Sequence, residues 1–508
     1  MNDPKLLNDE TVREFIANGF IKLTPDVDPA AHAEIDALIR YSFEHESRLG
    51  NNVVSRIPRI HDVLRCPVVD GALRSIAGDN YYFHPHRAIH RSTPVEDKTV
   101  ALRPDINGPR MGKGSSSGSG WHADAQSPLS RARHHTPRFL IGFYFPHDTP
   151  LAMGPTRMQA GSYLYSNPVE PHAVVLPDFV EAGTFLLVHF DMVHAGYPNL
   201  GDIDRMMVKF VFTRTRFPTA PTWRNEALDW SRPSGCLPEF DIPDAWSWIW
   251  SWMRGAPKFS AGNGAAAALG GKDQVARLNA IYQSDVRLDD LVRHAGRSKH
   301  KRKLANVDYP RDDVDGYPRV WNERAVVMED ETYTLVARGK VAELTSLLAH
   351  DDPWMQINAA FGVGELGAEV VDGIAPLLAS PHQQVVRQSL DAIGCIGRGI
   401  GPALDGIESL LTRSNPAWQE PQVGRGWHGE DQVRLNAVFA LLSAVNDPED
   451  IDRIETILES SLNDPCGYVG AVASEALVRI GSKRSMATAV RYLSDRRWDE
   501  SLRHMKPY

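Results

Sequence analysis

Apolar positions along the first half of the chain fall into short runs bounded by Gly, Pro and Asn. The clearest are RFLIGFYF (138–145), GTFLLVHF (183–190) and RMMVKFVFTRTRF (205–217). Their aromatic and branched residues predict β-strands, and several short strands separated by turn signals predict a sandwich or barrel. Ahead of them, DETVREFIANGFIKL spaces Val12, Phe15 and Ile16 as one face of a helix, with Gly19 as a stop before a strand. DAWSWIWSWMRG places Trp246, Trp248, Trp250 and Trp252 at alternate positions. That alternation favours a strand while the flanks read as helix, so periodicity leaves the segment open; packing is the expected role for the four rings. From about residue 331 onward the pattern is helical throughout.

Composition changes this picture little. At 508 residues, 42% hydrophobic and 23% charged, the chain suits a protein of two or three globular domains. A net charge of −9 argues against a general binder of nucleic acid or anionic membrane. The four cysteines (Cys66, Cys236, Cys395, Cys466) lack any metal-like spacing and read as free thiols of a reducing compartment. With no signal-like start and no apolar run long enough to span a bilayer, a cytoplasmic location is expected. The basic run RHAGRSKHKRK (293–303) reads as a solvated segment.

The helical half repeats. DPWMQINAAFGVGELG (352–367), SPHQQVVRQSLDAIGCIG (380–397), EDQVRLNAVFALLSAV (430–445) and DPCGYVGAVASEALVRIG (464–481) each open on a polar or Pro-marked start and carry small Ala residues. Gly stops recur at Gly367 and Gly397, and an insertion around NPAWQEPQVGRGWHG separates the later copies. Together with Val386-Arg387 and Val433-Arg434, the pattern resembles HEAT-type repeats. The resemblance implies helix pairs stacked into a solenoid that offers a surface to a protein partner or for self-association. The expected division is 1–255 for a β-rich domain, 256–330 for a linker or helical connector, and 331–508 for the repeats. The repeats are expected to be separable from the rest.

Chemistry concentrates where a Gly/Ser-rich stretch, GKGSSSGSG (112–120), runs into Trp121-His122-Ala123-Asp124. On a strand, residues two apart share a face, so His122 and Asp124 would point together. An H-x-D pair alone is a common chance match. A third donor is available in His194 of HFDMVHAGYPNLGDIDR, and two His with one carboxylate suit non-haem iron(II) with open positions. The turn residues Gly196, Pro198, Asn199 and Gly201 would double the chain back, bringing Arg205 near His194. Arg205 starts a strand whose alternate residues are apolar, so it is expected in a polar barrel interior that needs an anion. His189-Phe190-Asp191 is a second H-x-D, without a distant third ligand. Cationic residues at HPHRAIHR (84–91) and SRARHHTPR (130–138) flank the motif and could receive a substrate carboxylate or phosphate.

GWHADAQ, MGPTRMQAGSYLYS and HAGYPNLGDIDR together resemble the phytanoyl-CoA dioxygenase family of iron(II)/2-oxoglutarate oxygenases, over about residues 8–220. The resemblance implies a double-stranded β-helix (jelly-roll) core with flanking helices ahead of the HEAT-like solenoid. It implies His122, Asp124 and His194 as iron ligands and Arg205 as the 2-oxoglutarate-binding arginine, with Tyr144 and Trp121 beside the cosubstrate. Gly154-Pro155 and Gly161-Ser162 match family segments, whereas Tyr163 and Met207 depart from the family's usual His and Ser. The implied activity uses iron(II), 2-oxoglutarate and O2 to hydroxylate an unactivated C–H bond of a small metabolite or natural product, releasing succinate and CO2. Because Asp124 fills a position that related halogenases leave to a halide, hydroxylation, desaturation or ring formation is expected over halogenation. The alternative is a catalytically silent oxygenase-fold adaptor. The Gly/Ser stretch is expected to be a loop at the barrel mouth that closes during turnover.

Overall fold

The computed structural model describes residues 3–46, 49–103, 106, 120–124, 135–164, 173–262, 264–269, 271–285, 287, 289, 341–351, 353–364, 366–419 and 429–495. The Gly/Ser stretch up to Ser119, residues 130–134 of the second cationic segment and the basic run 293–303 lie outside them. No described helix is long and apolar enough to cross a membrane.

The opening helix forms where its apolar spacing places it. Helix α1 (Asp9–Asn18) is capped by the Asn8 side chain, which accepts from the Thr11 N–H, and ends on Gly19 in the left-handed region. It buries Val12, Phe15 and Ile16 and leads into β1 (Phe20–Leu23). The three apolar runs become β5 (Phe139–Tyr144), β10 (Phe185–His189) and β12 (Arg205–Thr213).

These join β2 (Tyr82–Phe83) and β3 (Ala88–Ser92) in one antiparallel sheet of order β1-β10-β5-β12-β2, with β3 also paired to β12. A second sheet has the order β4-β11-β7-β8, from β4 (His122–Ala123), β7 (Thr156–Gln159), β8 (Val174–Val175) and β11 (Val193–Gly196), and the short β6 (Thr149–Pro150) and β9 (Phe179–Val180) pair with each other. The chain passes from one sheet to the other at β3→β4, β4→β5, β10→β11 and β11→β12. That alternation is the winding of a double-stranded β-helix.

The tryptophan segment is a helix, Pro243–Met253, with Pro243 in its first turn and Gly255 at φ +77° beyond its end. All four rings are buried. Alternate positions on a helix point to nearly opposite sides, and here both sides are covered. Trp246 and Trp250 meet Trp230 and Trp223, while Trp248 and Trp252 meet Tyr282 and Phe217. Packing is thus their role. The described part of the expected connector holds two helices, Ala265–Leu269 and Gln274–Ile281, the latter packed on the tryptophan helix.

Each repeat segment holds a helix: Pro353–Val363, Gln383–Ile396, Gly429–Ala444 and Gly467–Ile480. These pack side by side in one layer, and Leu404–Thr412, Ile451–Ser461 and Lys483–Asp495 form a second layer against them. Gly397 and Gly481 end their helices in the left-handed conformation.

The helical half is joined to the β-half by a continuous core: one cluster of buried apolar residues runs from Val12 to Tyr492. Phe439 stacks on the His84 ring at 5.2 Å and 9°, and also meets Tyr82 and Phe139. Burial depresses the pKa of His84 well below its ordinary value, so the ring that meets Phe439 is neutral. At the rim, the Tyr468 hydroxyl bonds His86 Nδ1 at 2.9 Å and accepts from Asn51 Nδ2 at 2.6 Å. Arg479 donates to the backbone oxygens of Asn80 and Tyr81 at 2.8 and 3.0 Å. The expected separability therefore meets a shared apolar contact whose removal would expose core on both sides.

Truncating a buried Phe typically costs about 3 kcal/mol or more. Phe439→Ala is expected to lose that much in denaturant unfolding, with tryptophan fluorescence and helical circular dichroism shifting together. Separate shifts of the two signals would show that the halves unfold independently.

Candidate metal centre

His122 and His194 are brought together by strand pairing. Antiparallel register sets His194 on β11 opposite His122 on β4, and their ring centroids lie 4.4 Å apart. Asp124, two residues beyond His122, shares its face. Its Oδ1 is 3.9 Å from His122 Nε2 and its Oδ2 is 3.8 Å from His194 Nε2. One ligand atom from each of the three residues lies within 4.8 Å of the others, and no other such group of His, Cys, Asp or Glu occurs among the described residues.

Backbone acceptors select the tautomers. His122 Nδ1 donates to the Gly120 carbonyl at 2.7 Å and His194 Nδ1 to the Met192 carbonyl at 2.9 Å. Each imidazole therefore turns its Nε2 toward the shared space, the nitrogen a metal would take. Burial and the neighbouring His122 hold His194 down to about 4, so it is a neutral donor at neutral pH. Burial alone would raise the Asp124 carboxyl. The Lys209 ammonium, His194 and His122 outweigh it and hold the group far below the usual carboxylate range. Two imidazoles and one ionised carboxylate on one face fit a divalent transition metal.

The segments around the triad brace it. Ser162 Oγ accepts from the Val193 N–H at 2.8 Å, next to His194. After β11, buried Asn199 donates from Nδ2 to the carbonyls of Ser92 and Ile203, both at 2.8 Å, and accepts from the Gly201 N–H. Gly154, at φ +74°, lies against this turn; a Cβ there would sit 2.3 Å from the Tyr197 carbonyl oxygen. The chain thus doubles back at the expected place.

Arg205 begins β12 opposite Ser92 of β3 and is buried, with Nε and Nη1 lacking a hydrogen-bond partner among the described residues. Its Nη2 lies 3.4 Å from where a Cβ on Gly196 would be, two residues beyond His194 on the same face of β11. Burial lowers its pKa to about 10, leaving the guanidinium charged at neutral pH. A buried fork of donors that no described residue accepts from, beside His122, Asp124 and His194, has the chemistry to take an anionic group.

Two expected contacts are not made. Tyr144 lies on the opposite face of β5: its hydroxyl bonds His32 Nδ1 at 2.7 Å, on helix α2 (Pro29–His45). The side chain that meets the ligands is its neighbour Phe143, whose ring centroid is 5.2 Å from that of His194. Trp121 alternates away from His122 into a small cluster with Val193 and Ala195, with the Arg157 guanidinium 4.5 Å over its ring. The second H-x-D is structural. His189 stacks on Tyr163 at 4.2 Å, Nε2 donates to the Thr136 carbonyl and Nδ1 accepts from the Asp191 N–H, so both nitrogens are engaged.

Most flanking cations are also occupied elsewhere. Arg91 pairs with Asp204 at 2.6 Å, Arg87 covers the Phe83 ring, Arg138 donates to the Arg214 carbonyl, and His135 meets the Tyr282 hydroxyl. His90 differs: opposite Met207 on β3, it is exposed and lies within the electrostatic reach of Lys209, Asp124, Arg205 and His194.

No family model matches the chain, and no curated protein matches it. Similar solved structures include the non-haem α-ketoglutarate-dependent epimerase SnoN from nogalamycin biosynthesis, at 14% identity and TM-score 0.30, covering 40% of this chain and 80% of that one. Another is EctD from S. alaskensis with 2-oxoglutarate and 5-hydroxyectoine, at 13% identity and TM-score 0.32, covering 42% and 79%. A third is HygX from Streptomyces hygroscopicus with nickel and 2-oxoglutarate, at 13% identity and TM-score 0.30, covering 41% and 87%. Likeness at these levels carries no argument about chemistry, which has to come from the side chains.

Loss of one donor from the triad is expected to abolish stoichiometric metal uptake in His122→Ala and in Asp124→Ala, measured by anaerobic iron(II) titration. His189→Ala should retain uptake. The reverse pattern would move the metal to the other H-x-D.

Proposed function

We propose that the chain is an iron(II)- and 2-oxoglutarate-dependent oxygenase related to the phytanoyl-CoA dioxygenase family. The observation that carries this reading is the buried Arg205 guanidinium, whose Nε and Nη1 have no partner among the described residues, beside the His122, Asp124 and His194 donors. The proposed substrate is a small metabolite or natural product, and the proposed outcome is oxidation of an unactivated C–H bond, most simply hydroxylation. Cytoplasmic residence, the 1–255/256–330/331–508 division and the HEAT-like character of the helical half belong to the same proposal.

In this reading His122, Asp124 and His194 hold iron(II) on one face, and the metal, once bound, supplies dioxygen activation coupled to oxidative decarboxylation of 2-oxoglutarate. Arg205 takes the distal carboxylate of 2-oxoglutarate through a charge-assisted, two-pronged pair, orienting its 2-oxo acid end toward the triad. Gly196 places β11 beside this group: a Cβ there would lie 3.4 Å from Arg205 Nη2, in ordinary contact. Phe143, with neighbouring apolar residues of β5 and β10, gives that side of the site a water-poor wall. The backbone acceptors of Gly120 and Met192 keep both imidazoles in the binding tautomer throughout.

Removing one partner of a buried ion pair costs about 3 kcal/mol, or roughly a hundredfold in binding. Arg205→Ala is therefore expected to raise the apparent KM for 2-oxoglutarate by about that factor in a succinate-release assay, with iron(II) binding retained. An unchanged KM would remove Arg205 from the cosubstrate site. Wild-type protein that binds iron yet releases no succinate with any of a broad panel of small molecules would favour a silent adaptor.

A further inference from the structure

Strand β12 sends Arg205, Met207 and Lys209 to the inner face of the barrel and Met206, Val208 and Phe210 to the outer one. Lys209 is therefore a lysine in the middle of a nine-residue, wholly buried strand. Such a residue is retained only when paired. Its partner is a proposed metal ligand: Lys209 Nζ donates to Asp124 Oδ2, and the two side chains are 2% and 1% exposed. Asp124 Oδ1 faces His122 Nε2 at 3.9 Å.

We infer that Lys209 is a positioning residue that restricts Asp124 to one-oxygen coordination of the metal. The inference rests on the reading of His122, Asp124 and His194 as a metal site. The ammonium occupies Oδ2 and fixes the plane of the carboxylate. A metal held by the two imidazoles is thereby offered a single carboxylate oxygen. Three protein donors leave an octahedral ion three open positions, enough for a bidentate 2-oxo acid and dioxygen together. A carboxylate free to chelate with both oxygens would occupy one of them. The register of β12 supplies this constraint from the same strand that supplies Arg205, so the cosubstrate's anion receptor and the ligand's restraint are set by one element.

Two variants and one measurement on unaltered protein test it. Lys209→Met keeps the approximate length and removes both charge and donor, whereas Lys209→Gln keeps a donor. Substitution of groups that orient metal ligands typically costs roughly 10–100-fold. Iron(II) uptake is expected to persist in both variants. Affinity of the iron-loaded protein for 2-oxoglutarate, read from the visible charge-transfer absorption of the chelate, should fall by about that factor in Lys209→Met and remain near wild type in Lys209→Gln. In wild-type protein with 15N-labelled lysine, one ammonium resonance should be strongly displaced in the cobalt(II) form relative to the zinc(II) form. That resonance needs no variant to fold, and it should be missing from Lys209→Gln. Wild-type protein that takes up no metal overturns the parent reading. Wild-type protein that takes up metal but shows no displaced ammonium, or a Lys209→Met protein with wild-type 2-oxoglutarate affinity, overturns the role of Lys209 alone.

Discussion

The pairing of β4 with β11 is the constraint on which the site depends. It sets His194 opposite His122, two residues far apart in the chain, and their backbone register fixes the distance between the imidazoles. Once these strands are paired, alternation puts Asp124 on the same side and sends Trp121 to the other. A one-residue slip would reverse both placements, moving the tryptophan inward and the ligands outward. Hydrogen bonds from the two Nδ1 atoms to backbone carbonyls then convert position into chemistry, because they decide which nitrogen carries the lone pair.

Charge is balanced around this pair. Asp124 is almost wholly buried and stays ionised chiefly because Lys209 pairs with it. Arg205, on the same strand as Lys209, is buried beside Gly196 with donors that no described residue accepts from. One strand therefore carries a cation that is satisfied by the protein and a cation that is left for a ligand. This difference, more than the presence of basic residues near the motif, points to an anionic ligand. Of the other nearby arginines, Arg91 is spent on Asp204, Arg87 on Phe83, Arg138 on a backbone carbonyl and Arg157 on the Trp121 ring.

Much of this was legible in the sequence, for reasons that particular residues show. The approach of His122 and Asp124 was legible because strand alternation puts H-x-D on one face. Arg205 was legible because Gly196, Pro198, Asn199 and Gly201 mark the turn that returns it to His194. The placements of Tyr144 and Trp121 failed on the same alternation. Each stands one residue from a side chain that does face the site, Phe143 and His122, and family likeness suggested proximity without parity. Lys209 was visible as a lysine inside an apolar run at the parity of Arg205, but only the fold shows that Asp124 is its partner. The tryptophan segment could not be assigned because a helix covered on both sides presents no periodic contrast. Nor could the docking of the helical half be read, since Phe439 and His84 carry no mark in sequence that they meet.

The most direct measurement is a sequential anaerobic titration of wild-type protein, first with iron(II) and then with 2-oxoglutarate, followed by metal analysis and visible absorption. One iron per chain is expected, with a charge-transfer band that appears only when both components are present. Absence of stoichiometric iron, or 2-oxoglutarate binding that is indifferent to the metal, would contradict the assignment of His122, Asp124, His194 and Arg205 to a single catalytic centre.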